Sequence, residues 1–142
     1  MIRALLLALA FAASAPAPAV FANEEKSGGA ENARAMDVLN LVAPVVRNGR
    51  LVNYLFINAR IQLAPGVDVW QTREKGHFLR DALVRAVHKQ SIAAADRDDQ
   101  INPAATQALI STVARLTLGA NAVRSVEILN VSSLRQGRTA RS

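Results

Sequence analysis

The alternation of apolar and polar side chains changes period several times along this chain, and each change marks an element. Residues 38–63 hold two apolar runs on either side of Arg47-Asn48-Gly49-Arg50. Asn-Gly between such runs predicts a β-hairpin closed by a two-residue turn, because both residues tolerate the positive φ of a type I′ turn. A two-residue loop sets the register, so Val46 is expected opposite Leu51, Val45 opposite Val52, Ala43 opposite Tyr54 and Leu41 opposite Phe56. Pro44 has no N–H to give to a ladder, which predicts that the first strand lies at a sheet edge.

The second strand carries the more telling pattern. Its odd positions, Leu51, Leu55, Ile57, Ala59, Ile61 and Leu63, form one apolar face broken only by Asn53. Its even positions begin apolar, at Val52, Tyr54 and Phe56, and end polar, at Asn58, Arg60 and Gln62. An antiparallel sheet with one solvated face normally keeps that face polar. Near the turn, this strand is apolar on both sides. Leu41, Val45, Val52, Tyr54 and Phe56 are therefore the candidate interaction residues, with Arg47 and Arg50 flanking the turn. Either a partner covers this second face or the helices and the leader fold over it. Pairing of the edge strand with a neighbouring copy is a second route to assembly.

Ala64-Pro65-Gly66-Val67-Asp68 is a turn cluster that ends the strand. Helical spacing then predicts a helix from about Thr72 to about Ile92, with Phe78, Leu79, Ala82, Leu83, Ala86 and Val87 on its apolar side. Gly76 weakens its first turn. Asp96-Arg97-Asp98-Asp99-Gln100 reads as a solvated connection. Asn102-Pro103 supplies an N-cap followed by proline at the first helical position. That second helix presents Leu109, Ile110, Val113 and Leu116 on one stripe and stops at Gly119-Ala120-Asn121. Val123 to Leu134, with Val126, Ile128, Leu129 and Val131, closes the fold as a strand. The expected class is α+β: an N-terminal β-hairpin, two helices and a closing C-terminal strand in a small antiparallel sheet, one domain over residues 37–134.

The N-terminal 22 residues follow a different logic. Arg3 precedes an uncharged apolar run from Ala4 to Ala13, Pro16 and Pro18 break any helix, and Val20-Phe21-Ala22 offers small residues before a cut. That is the order of a secretory signal peptide over residues 1–22. Residues 23–36, with Gly28-Gly29, read as a flexible leader, and residues 135–142 as a basic flexible tail. The alternative keeps the uncharged run as an anchor, with the domain attached to the inner membrane and facing the periplasm.

Composition narrows the compartment. The 142 residues include no cysteine, so no disulfide, thiolate metal site or cysteine nucleophile is available. An exported chain without disulfides suits a bacterial periplasm, and 14 arginines against 3 lysines is a bias of GC-rich bacterial genomes. The net charge is +6, with Arg3 the one ionisable side chain among the first 22 residues. Part of the excess lies in Arg135, Arg138 and Arg141, which either meet an anionic surface or form a solvated terminus. Proximity to the inner membrane or cell wall is therefore kept open, and nucleic acid is not an expected partner of an exported chain.

Candidate chemistry is sparse. His77, Asp81 and His88 share a helical face, but His88 lies about 16 Å along the axis from His77, too far for one ion. Asp96, Asp98 and Asp99 lack the glycine and glutamate that a calcium loop needs at its sixth and twelfth positions. No Gly-x-Ser-x-Gly elbow, phosphate loop or dinucleotide fingerprint occurs. No catalytic, metal or cofactor-binding residue is expected, and the chain reads as a non-enzyme. A small periplasmic hydrolase or a metal-binding protein is the alternative.

Three stretches carry a family resemblance: Pro44-Val45-Val46 through Gly49-Arg50-Leu51-Val52-Asn53-Tyr54-Leu55, the segment Phe78-Leu79-Arg80-Asp81-Ala82-Leu83-Val84, and Val126-Glu127-Ile128-Leu129-Asn130. Over roughly residues 38–134 the chain resembles the periplasmic domain of the flagellar basal-body protein FliL, which is similar in fold to stomatin-type domains. The resemblance implies a non-catalytic accessory that self-associates at the inner membrane and supports a larger machine such as the flagellar motor. FliL-type proteins keep a transmembrane helix after a cytoplasmic segment, whereas here three residues precede the signal-like run. No site residue is carried over. The expected function is an exported interaction or scaffold module acting on a protein partner or on its own copies.

Overall fold

The computed structural model describes Gly29 and residues 32–134. The signal-peptide reading of residues 1–22, most of the leader and the tail at 135–142 fall outside the described residues. The elements run β1 (Ala35–Arg47), β2 (Arg50–Leu63), α1 (Val69–Glu74), α2 (Gly76–Lys89), α3 (Pro103–Leu118) and β3 (Val123–Ser133). The three strands form one antiparallel sheet in the order β1-β2-β3, with β2 central. This is the expected α+β arrangement of an N-terminal hairpin, helices and a closing strand. No helix among the described residues is long and apolar enough to cross a membrane.

The turn forms for the reason its sequence predicts: Asn48 (φ 51°) and Gly49 (φ 74°) both take the left-handed conformation. Val46 pairs with Leu51 as expected. Beyond that pair the register departs by one residue, because Val52 is an extra residue between Leu51 and Asn53. Val45 therefore stands opposite Asn53, Pro44 opposite Tyr54, Ala43 opposite Leu55, Val42 opposite Phe56 and Leu41 opposite Ile57. A second irregularity in β1 falls at Leu39-Asn40, where Asn40 has φ 52° and its N–H donates to Asn58 Oδ1 at 2.7 Å. Asparagine tolerates this conformation better than most residues. β1 also starts earlier than expected: Ala35 and Met36 pair with Gln62 and Ile61 and are buried.

The helices depart from the expected pattern at several places. The single helix from about Thr72 to Ile92 is two, parted at Lys75. The first of these, α1, is started by Asp68, whose Oδ1 accepts from Gln71 N–H at 3.0 Å. Ile92 lies past the end of α2 and is buried in the connection that follows. Phe78, expected on the apolar side of α2, is 61% exposed, and only Leu79, Leu83 and Val87 are buried there. The third helix, α3, begins at the expected cap, with Asn102 Oδ1 accepting from Ala105 N–H at 3.1 Å, and ends at Gly119. Its buried stripe is Thr106, Ile110, Ala114 and Leu118. Of the expected stripe, Ile110 is buried and Leu109 and Val113 pack partly against the core, while Leu116 is 81% exposed.

One core holds these elements together. Leu41, Ala43 and Val45 of β1 join Leu55, Ile57, Ala59, Ile61 and Leu63 of β2 and Val123 and Val126 of β3. The buried residues of α2 and α3 belong to the same cluster, so the helices cover the odd-numbered side of β2. Each fully buried Leu or Ile removes enough apolar surface to contribute roughly 1.5–3 kcal/mol.

Candidate functional site

The even-numbered side of β2 faces away from the helices, joined before the bulge at Val52 by Leu51, which the alternation had placed on the other face. Nearest the turn, Val46 stands beside Leu51. The next row is Pro44, Tyr54 and Leu134, the last placed by its N–H donating to Tyr54 O at 3.2 Å. Then come Val42, Phe56 and Ser132. Below these the rows turn polar: Asn58 beside Asn130, then Asp37, Arg60 and Glu127. The open face is therefore apolar at its turn end and hydrogen-bonded at its base.

This geometry sorts the expected interaction residues. Tyr54 and Phe56 lie on the open face and are half-buried rather than enclosed. Leu41 and Val45 do not belong there: each is 1% exposed in the core, because the extra residue at Val52 moves the register of β1 by one. Val52 is that extra residue and packs partly against the core. Val42, Pro44, Val46 and Leu134 take the places assigned to Leu41 and Val45. These four follow from strand alternation once the register is known, and nothing in the β1 sequence alone reports the slip.

The two flanking arginines also part company. Arg50 is exposed beside the turn. Arg47 instead binds inward: its Nε donates to Asp98 Oδ1 at 2.9 Å and its Nη2 to the Ala94 carbonyl. Asn53, the polar interruption of the core face, donates from Nδ2 to Asp98 O at 2.9 Å and accepts from Tyr54 N–H at 2.9 Å. Together they tie the α2–α3 connection to the hairpin. That connection is no loose tether: Ala93 bridges Ile101, and Ala94 N–H donates to Gln100 O at 2.9 Å. The buried asparagine among apolar neighbours was the sequence signal for this clamp.

The base of the open face is held by charge. Arg60 grips Asp37 with both arms, Nε to Oδ1 at 2.7 Å and Nη2 to Oδ2 at 3.0 Å, and reaches Asn32 Oδ1 from Nη1 at 3.3 Å. These hydrogen bonds hold the Asp37 carboxyl below its ordinary range and push the guanidinium up. Arg73 closes the same corner by donating to the carbonyls of Ala33 and Ala35 at 3.1 and 3.3 Å. A shallow depression of about 390 Å³ lies between these residues. Asp37 and Arg60 in it are paired with each other, and Arg73 with backbone carbonyls.

The histidine face is similarly occupied. Asp81 pairs with Arg85 at 2.5 Å, a His88 ring nitrogen lies 2.7 Å from Val84 O, and the His77 ring lies 3.9 Å from that of Phe78. Among the described residues no three His, Cys, Asp or Glu side chains gather as a metal site. The chain matches no protein-family model, no curated protein and no solved structure.

Proposed function

We propose that this protein is an exported, non-catalytic docking module that uses the open face of its sheet to hold a protein partner, including further copies of itself. One observation carries the reading: Val42, Pro44, Tyr54 and Phe56 form adjoining apolar rows on the side of the sheet that the helices leave alone. Contiguous apolar surface on a sheet face is what protein interfaces use. Face docking is favoured over edge pairing because both edges are interrupted. β1 carries Pro44 and the irregularity at Leu39-Asn40, and β3 carries extra residues at Leu129 and Arg124. Such features blunt a strand as a template for another.

The resemblance to the FliL periplasmic domain supports the same reading, with an envelope machine such as the flagellar motor as the larger assembly. The signal-like N-terminus supports the periplasm as its compartment. The test is sedimentation equilibrium of the exported protein across the micromolar range. Concentration-dependent assembly is expected, weakened in a Tyr54→Ser, Phe56→Ser double variant whose circular dichroism and melting stay those of a folded chain. A strictly monomeric wild type that also binds no envelope protein would overturn the reading.

A further inference from the structure

The helices carry three large apolar side chains that stand out in water. Leu116, Trp70 and Phe78 are 81%, 77% and 61% exposed, the highest values among the large apolar residues described. Their places in the helices show that they point the same way. At about 100° per residue, each lies about 130–140° round its helix from the middle of the buried side. That side is Val69 and Thr72 in α1, Leu79, Leu83 and Val87 in α2, and Thr106 to Leu118 in α3. All three therefore stand on the outer surface of the helix layer, away from the sheet.

They also share one end of the molecule. α1 passes into α2 at Lys75, and Gly76 lies beside the Met36 side chain at the start of β1. α3 ends at Gly119, and just beyond it the Ala122 carbonyl accepts from Ala64 N–H at 2.9 Å, where β2 has ended. Phe78 is in the first turn of α2 and Leu116 in the last turn of α3, so both sit here with Trp70. Charge follows the same division. The helices and Lys75 between them carry Arg73, Lys75, Arg80, Arg85, Lys89 and Arg115 against two acids, Glu74 and Asp81, and α3 has no acid. Asp81 is paired with Arg85, and Asp68 ahead of α1 is engaged as its cap. The Arg73 guanidinium lies 5.8 Å over the Trp70 ring. The remaining carboxylates of this side gather at the opposite end, in the 96–99 connection, where Asp98 holds Arg47 beside the hairpin turn.

We infer that this end of the helix layer binds an anionic lipid surface. Phe78 and Leu116 enter the boundary between headgroups and acyl chains, and Trp70 lies at headgroup level, where an amphipathic ring is favoured. Lys75 and Arg115, their neighbours in the chain, meet the phosphates. Neither signal suffices alone, since a small apolar insertion is reversible and charge is screened by salt, but the two add. Side chains that project this far suit a soft surface, which needs no pocket shaped to receive them. A second copy fits this end poorly, because it would set Lys75 and Arg115 against their like. The inference goes beyond the assembly reading and does not rest on it, since Tyr54 and Phe56 lie on the other side of the sheet.

The test is flotation of the exported protein, purified from its host, with phosphatidylglycerol-containing vesicles and with pure phosphatidylcholine vesicles. Binding to the anionic vesicles is expected, at least about tenfold stronger than to the neutral ones and weakened as salt is raised. Trp70 is the one tryptophan, so its emission should shift to the blue when anionic vesicles are added. A Phe78→Ser, Leu116→Ser variant should bind about tenfold more weakly while melting like the wild type. Lys75→Gln with Arg115→Gln should weaken binding by about thirtyfold, as two charges at an anionic surface would give. A Tyr54→Ser, Phe56→Ser variant, in which assembly is weakened, should bind the vesicles unchanged. Equal binding to both vesicle types, no binding, or an unmoved Trp70 emission would overturn the inference. So would full binding in the helix variants, or binding lost in the open-face variant, which would make that face the lipid contact. Binding of polyglutamate without vesicle binding, lost in the Lys75 and Arg115 variant, would also overturn it and point to an acidic protein.

Discussion

Phe56 and Ile57 are neighbours in the chain with opposite fates, and they stand for the two faces of the sheet. Ile57 is fully buried beneath α2 and α3, in a core built from Leu, Ile, Val and Ala. Phe56 is half-buried on the other side, in a row with Val42 and Ser132. The covered face of β2 is apolar along its length from Leu55 to Leu63, with Asn53 its polar interruption toward the turn. The open face is apolar for only half its length and ends in the Asp37–Arg60 pair. The helices cover the face whose apolar residues run the length of the strand and leave the one that turns polar at its base.

The comparison breaks most directly at those two residues. Ile57→Ala should lower stability by about 3 kcal/mol, the ordinary loss for a fully buried aliphatic, measured by urea unfolding. Phe56→Ser should cost about 1 kcal/mol, mostly lost sheet packing, while weakening assembly. Equal losses of stability would mean that both faces are core.

The clamp between hairpin and connection gives the next effects. Asn53→Ala leaves the Asp98 carbonyl without its buried donor and should cost about 2 kcal/mol. Arg47→Ala should cost about 1 kcal/mol, since its ion pair with Asp98 is partly exposed to water. In both variants amide exchange should quicken at Ala94 and Asn102, whose N–H groups donate to Gln100 and Ile92. Unchanged exchange there would show that the connection holds itself without the hairpin.

The smallest effect belongs to the base of the open face. The folded pKa of Asp37 lies below its ordinary value of 3.8, so its contribution to stability is complete above that value and fades as pH falls through the lower, folded one. Acid unfolding of Asp37→Asn should therefore differ from wild type near neutrality and converge with it at the acid end. A difference that grows toward low pH would reverse the sign and exclude the pair as a source of stability.

Much of this architecture was legible before any coordinates. Asn48-Gly49 announced the hairpin, Asn102-Pro103 the start of α3, and Pro44 an edge position, because each is a local conformational demand met by few residue types. The alternation in β2 separated its two faces from Asn53 onward, but Leu51, read with the covered face, is 51% exposed, and Val52, read with the other, packs partly against the core. The candidate site was read less well. Leu41 and Val45 were assigned to the wrong side because Val52 adds a residue to one strand only, and a single extra residue exchanges the faces of everything paired beyond it. Phe78 and Leu116 were counted as core because helical spacing registers apolar residues without knowing how wide a sheet they must cover. A three-stranded sheet buries one narrow stripe of each helix, and these two fall outside it.

Turn chemistry, helix caps, period and charge were thus decided by residues within a few positions of one another. Those interactions are local, so sequence alone determines them. The register past the bulge, the inward turn of Arg47 and the division of apolar residues between core and open face were decided only in the folded chain. Each depends on contacts between segments far apart in sequence, such as Arg47 with Asp98, whose partners exist only after the sheet and helices have packed.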